Sequence, residues 1–438
     1  MPKYPLFKEF ARSKFAKDSL LYVASSLVVG FLGYLFNFFV SRKISVAQYG
    51  ELQSLFAILS IFGVYSAALG YFIVKHVSVF SAHEDKEASR DFTGYLFRKT
   101  KKPVFLGLVV FILLIPFLSR LLHLSDSVGL IAIGITIFIS FPLVIYGEIL
   151  RGWNKFFVLA FISIISAIAK LVSGAGLAII FQKASAISFS IFVAAIFGLF
   201  LSRFFSRKTI GISREQKSFQ NWKEKYFPER NIRKTAIQIF IFSAGIILIS
   251  NLDIIIVKNL MSPDTAGYYG ALALVGKIIL IINLAVVAVM LPGACADGYL
   301  GKRPSSKHIF GAYSLVIVSS LVLILLYSFL SSFVVNLFFG SKYLLQANNL
   351  WLFGLMSFFL SLVTLEANLA FAKHEFRVVY YLMAIVIAMV LGGAGFHANL
   401  REIVVVFSAI FLLGYFAILS LNLSRNGENK NLSVAAGA

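Results

Sequence analysis

The chain has 438 residues, 59% of them hydrophobic and only 13% charged, with a mean hydropathy of +0.88. A soluble domain carries about 25% charged residues; with half that, and with apolar runs such as residues 309–330 that hold no charge at all, the composition excludes a soluble enzyme. The net charge of +21 would suggest a nucleic-acid partner only in a soluble protein, and with a single cysteine, Cys295, and six scattered histidines no disulfide, metal or other cofactor is expected.

In chain order, residues 1–18 form a basic amphipathic segment carrying Lys3, Lys8, Arg12, Lys14 and Lys17. The apolar run that follows is span-length and ends in Ser41-Arg42-Lys43 without a small-residue cleavage site, so it reads as a retained helix rather than a leader. Apolar blocks bounded by charge predict spans at 19–41, 50–74, 103–122, 128–150, 157–181 and 187–205. After a polar connector at 206–234 they resume at 235–257, 267–291, 309–332, 348–372, 378–396 and 402–423, followed by a tail at 424–438. The expected architecture is an all-α polytopic membrane protein of about twelve transmembrane helices, in halves 19–205 and 235–423.

Lysine and arginine fix the expected orientation. The segments sharing a side with the N-terminus hold 31 of them and the opposite side 7, which places both termini in the cytoplasm of a cell with the chain in its cytoplasmic membrane. The connector, with Arg207, Lys208, Arg214, Lys217, Trp222, Lys223 and Lys225, suits anionic headgroups. Every outside loop is short, which argues against an enzyme that polymerises or ligates glycans there.

The two halves carry similar junctions. Val40-Ser41-Arg42-Lys43 through Gln48-Tyr49-Gly50 matches Val257-Lys258 through Tyr268-Tyr269-Gly270, and Leu150-Arg151-Gly152-Trp153-Asn154-Lys155-Phe156 matches Ala370-Phe371-Ala372-Lys373-His374-Glu375-Phe376. Parallel repeats of this kind put a substrate path between halves, and the halves are expected to move as rigid bodies joined by 206–234.

Gln48-Tyr49-Gly50, Leu150-Arg151-Gly152, Asn251-Leu252-Asp253, Ala266-Gly267-Tyr268-Tyr269 with Lys277, Leu291-Pro292, and Phe339-Gly340-Ser341-Lys342-Tyr343 follow one another along the chain. In that order they resemble the polysaccharide transporters of the multidrug/oligosaccharidyl-lipid/polysaccharide (MOP) flippase superfamily. The resemblance covers essentially the whole sequence. It implies a V-shaped, MATE-like pair of six-helix bundles in alternating access. It also implies a lipid-linked oligosaccharide cargo held by its pyrophosphate, as in O-antigen or capsule repeat-unit (Wzx-type) flippases, with membrane lipids, a glycan polymerase and other polysaccharide assembly proteins as partners.

Candidate site residues are the charges inside spans. Lys170 lies about 20 Å along span five and Lys277 near the middle of span eight. A lysine at such depth costs about 2.5–3.5 kcal/mol on insertion and by default marks function; each suits an anionic pyrophosphate, the alternative being an ion pair or a carbonyl-bonded lysine tying helices together. The resemblance ranks Lys277 first, since span eight lines the central cavity in that family. Lys75, with His76, is expected to close span two as a cytoplasmic anchor or to meet an incoming headgroup. Asp253 is expected to pair with Lys258, to bind a coupling proton or sodium ion, or to sit in interfacial water; Glu51 is its rough counterpart. Glu148 and Arg151 share a helix face at a three-residue spacing, and with Glu366 they are expected to gate or brace the inner ends of spans four and ten. Asn37 is expected to bond across helices.

Two rivals are an exporter of the MATE type, which wants deep acids where this chain offers lysines, and a lipid II flippase, which commonly has two further helices. A membrane glycosyltransferase finds no carboxylate cluster.

Overall fold

The structure, a computed structural model, describes residues 14–211, 232–283, 306–373 and 375–435. Leu291-Pro292, Cys295, His374, most of the 206–234 connector and the first thirteen residues lie outside the described residues. The elements are α1 (Lys14–Lys43), α2 (Val46–Phe62), α3 (Val64–Ala82), α4 (Lys86–Leu121), α5 (Val128–Gly152), α6 (Phe156–Ile180) and α7 (Ala184–Ile210). They continue with α8 (Ile232–Leu260), α9 (Pro263–Gly276), α10 (Ser306–Phe329), α11 (Ser331–Phe339), a 3₁₀ turn over Ser341–Asn349, α12 (Leu350–Ala372), α13 (Val378–Gly395) and α14 (Leu400–Ala435). Eleven of the described helices are long and apolar enough to cross a membrane, or up to twelve if the bent pair α10–α11, turned by 89°, counts as one span.

Packing divides the chain into two compact units. One comprises Met1–Ser45 and Ile58–Phe240, the other Val46–Ala57 and Ile241–Ala438, so the first turns of α2 pack with the second unit although they precede most of the first in sequence.

In unit 1, α5 packs on α7 and α3, and α6 packs on α7 and α1. The predicted second span is covered by α2 and α3, which meet at Gly63 and together run over Val46–Ala82. Glu51 and Lys75 shorten that block in a hydropathy reading, but Ile73, Val77 and Phe80 recur at helical spacing and form a buried core with Phe92, Leu96 and Ile149, which carries the helix on to Ala82. Lys75 therefore lies two turns before the end of α3. Next along the chain, Asp85 caps α4 by accepting the Ala88 N–H at 2.8 Å. The first turns of α4 bury Ala88, Ser89, Phe92 and Leu96. Beyond Pro103 the same helix exposes Phe105, Leu113 and Phe117, each more than half open, as a lipid-facing surface does.

In unit 2 the centre is α12, against which α9, α10 and α14 pack. Leu362, Leu365, Leu369 and Ala372 form its seam with Val316 of α10. Ser262 caps α9, accepting the Thr265 N–H at 3.3 Å, with Pro263 at the first helical position where its missing donor costs nothing. Opposite α9, the first turns of α2 come in backbone-close: a Cβ added to Gly267 would stand 2.0 Å from the Val46 carbonyl oxygen, and one on Gly50 2.7 Å from the Gly267 nitrogen. The ring of Tyr49 then packs edge-on against Phe339 and Tyr343.

Candidate functional site

The best-defined charged site lies inside unit 2, at the end of α9. The helix stops at Gly276, Lys277 takes the capping position with its N–H donating to the Ala273 carbonyl at 2.8 Å, and helix resumes over residues 278–283. In the last turn of α9, the Val275 carbonyl accepts the Tyr327 hydroxyl at 2.9 Å.

The Lys277 side chain leans back toward the start of its own helix, as helical side chains do, and so reaches α8. Its Nζ donates to the Ser250 carbonyl at 2.8 Å and contacts both Asp253 oxygens at 3.0 Å. Asp253, 1% exposed, also accepts the hydroxyl of fully buried Tyr269 at 3.1 Å. The lysine side chain retains 16% exposure against 2% for the aspartate, so the cation is the accessible member of the pair.

Of the alternatives for Asp253, a pair with Lys258 is not formed; its partner is Lys277. A five-residue spacing turns two side chains to different sides of a helix, whereas three or four would align them. Lys258 is itself buried and feels the field of Glu51, from the α2 turns that belong to this unit. Elsewhere in unit 2, Glu366 of α12 is 2% exposed and binds the side-chain amide of Asn422 on α14, which also donates to the Glu366 carbonyl at 3.2 Å. Its partner across the helices is thus a neutral amide.

Unit 1 holds the other expected residues in separate places. The Lys170 ammonium stands 4.5 Å from the centre of the Phe36 ring, with Gly174 one turn on so close that a Cβ would meet Phe36 at 2.2 Å. Absence of a side chain at 174 lets that ring lie flat between α1 and α6 and present its face to the cation. Arg151 and Glu148 pair at 3.0 Å along α5, and the Glu148 carboxyl covers Gly70 of α3. Lys75 lies 6.0 Å from the Tyr71 ring. Asn37 donates to the Gly33 carbonyl of its own helix at 2.8 Å. Sequence reasoning missed Tyr269 and Ser250 as members of the Lys277 site; the Tyr-Gly junction was the one available signal for the tyrosine.

No known family profile matches the chain. An uncharacterized membrane protein of Methanocaldococcus jannaschii is 24% identical over 436 residues, covering 92% of this chain and 98% of that protein. Among solved structures, the lipid II flippase MurJ in an inward closed conformation superposes with a TM-score of 0.68 at 16% identity, over 91% of this chain and 87% of that one. An inward-facing multidrug-resistance MATE transporter of the MOP superfamily gives 0.66 at 10% identity, over 94% and 99%. A MOP-superfamily transporter from Pyrococcus furiosus, described as having a binding pocket of reversed polarity, gives 0.62 at 14% over 96% and 98%. Over the described residues the fold is the all-helical fold of these MurJ and MATE structures.

Proposed function

We propose that the chain is a flippase that carries a lipid-linked oligosaccharide across the cytoplasmic membrane by alternating access, gripping the cargo by its polyprenyl pyrophosphate, with both chain termini cytoplasmic. One observation carries this reading: Lys277, inside an apolar span-length helix, is the more exposed member of a pair whose carboxylate is buried. Lysine serves phosphate as a point charge. The MOP-type fold supplies the frame for such a carrier. In this reading Asp253 aims the ammonium while the site is empty, and protonation of Asp253 or a sodium ion bound there releases Lys277 to the cargo, which supplies the coupling. Lys170 is the second cation along the path, and Lys75 meets the arriving headgroup. Glu51, the Glu148–Arg151 pair and Glu366 serve gating. A glycan polymerase and other assembly proteins take the product.

The test is glycan export in cells lacking their own flippase, complemented with Lys277→Ala, Lys277→Arg or Lys277→Glu at matched membrane expression. Export is expected to fall to background with Ala and Glu and to be retained in part with Arg; wild-type export by all three removes Lys277 from the cargo path. Lipid II is the second reading of the cargo, favoured by the likeness to MurJ; rescue of cells depleted of their lipid II flippase would select it. A cation exporter is less well matched, because residues 19–41 hold no acid and Asp253 is already engaged by a lysine.

A further inference from the structure

At the end of unit 1 where α3, α5 and α7 finish and α4 and α6 begin, a cavity of about 910 Å³ opens, with Lys86, Lys155 and Lys208 on its rim and Glu84 as the acid among its lining residues. The three lysines come from three separate elements, and all are exposed. Each of the two loops is held by a left-handed residue, Glu84 (φ 53°) and Asn154 (φ 52°). In both, the next N–H reaches back five residues: Asp85 to the Phe80 carbonyl at 2.9 Å, Lys155 to the Leu150 carbonyl at 2.9 Å. Such helix ends fix the chain that follows, so Lys86 and Lys155 leave defined corners.

The N-cap of α6 is Lys155, a side chain with no acceptor to offer. A 25-residue helix thus presents its first N–H groups and the positive end of its dipole beside the three ammonium groups. The cavity wall is of the opposite character. Trp153, its indole nitrogen donating to Ser89 Oγ at 3.2 Å, and Phe205 line it. The Phe205 ring contacts Phe204 at 5.2 Å and Phe161 at 6.3 Å, and both of these rings are exposed on α7 and α6. An anion-binding rim thus continues into an aromatic, lipid-facing strip.

We propose that this cavity binds the phosphate of an anionic membrane lipid, with Lys86, Lys155, Lys208 and the α6 N-terminus around the phosphate oxygens and the chains lying along Phe161, Phe204 and Phe205. Free phosphate would use the rim and leave the strip bare; a zwitterionic lipid would bring its own cation to a site that already holds three. The site is separate from the Lys277 site, with which it shares no residue.

The experiment uses the full chain with Trp153 as its one tryptophan (Trp222→Phe, Trp351→Phe), in phosphatidylcholine vesicles containing about 20% phosphatidylglycerol. Brominated phosphatidylglycerol is expected to quench Trp153 several-fold more than brominated phosphatidylcholine at the same fraction. Each Lys→Gln change at 86, 155 or 208 is expected to weaken that preference about fivefold. The triple Lys→Gln variant is expected to lose it while the triple Lys→Arg variant keeps it, which separates binding from folding. Relief of quenching by added polyprenyl pyrophosphate would identify the isoprenoid carrier as the occupant, and its persistence would identify the phospholipid; both outcomes support a lipid phosphate. Equal quenching by the two brominated lipids, or relief by inorganic pyrophosphate as complete as by any lipid, would overturn it.

Discussion

Replacing Lys277 by alanine leaves the Asp253 carboxylate, 1% exposed, with the Tyr269 hydroxyl and no cation within the contacts that hold it now. Removing one partner of a buried pair costs about 3–5 kcal/mol because the other charge stays buried. The charge-assisted bond to the Ser250 carbonyl, about 1.5–3 kcal/mol, is lost with it. Asp253→Ala leaves the ammonium stranded but with some exposure, so its cost is smaller than that of Lys277→Ala. The double variant Asp253→Ala/Lys277→Ala buries neither charge and leaves the Tyr269 hydroxyl with the Met356 sulfur at 3.7 Å, at a cost of about 0.5–1.5 kcal/mol for the hydrogen bond lost.

Thermal unfolding of the purified variants in detergent is therefore expected to rank Lys277→Ala lowest, Asp253→Ala next, and the double variant closest to wild type. Export separates structure from function. If the lysine meets an anionic cargo, the double variant is stable and still exports at background. A double variant that exports like wild type would refute the cargo contact and leave Lys277 as a tie between α8 and α9. A Lys277→Ala protein as stable as wild type would refute the reasoning about the buried carboxylate.

Other outcomes follow from single contacts. Gly267→Ala drives a Cβ into the Val46 carbonyl and is expected to cost about 1–3 kcal/mol, as overpacking does. It should also lower the yield of an oxidised Gln53→Cys/Gly270→Cys bridge, whose side-chain carbons would otherwise lie close enough to join; an unchanged yield counts against the close approach. Lys170→Met gives up a cation–ring contact of about 2 kcal/mol but also a mid-span charge costing about 2.5–3.5 kcal/mol. Its melting point is expected to hold or rise while export drops, and a sharp loss of stability would show the lysine to be a brace. Outside-only thiol reagents are expected to label Ser127→Cys and spare Ser213→Cys in a Cys295→Ser background, from the 31-to-7 bias of basic residues; the reverse pattern inverts the topology.

What the sequence made legible was local. A charge within an apolar run stands out without any knowledge of packing, so Lys170 and Lys277 were visible as mid-span lysines, and Glu148–Arg151 was visible because a three-residue spacing on one helix decides the pair by itself. The length of the second helical segment was half-legible: Lys75 hid the continuing Ile73, Val77, Phe80 seam because a window weighs charge above periodicity. Partners across helices were not legible. Asp253 and Lys277 are joined through two antiparallel helices and a lysine stem, and Glu366 meets Asn422 from a different helix, so neither pairing leaves a spacing to read. The same distinction bears on function. Seen alone, Lys277 is a free mid-membrane cation and argues for an anion by charge. Seen with Asp253, it is a neutral pair, and an anion must compete with a carboxylate already in place. In the proposed reading, cargo binding and release of that carboxylate are one event, which ties the proposed coupling ion to the same few atoms. Export that stays dependent on a proton or sodium gradient after Asp253→Asn would break that tie and send the search for the coupling carboxylate to Glu366, held by a neutral amide.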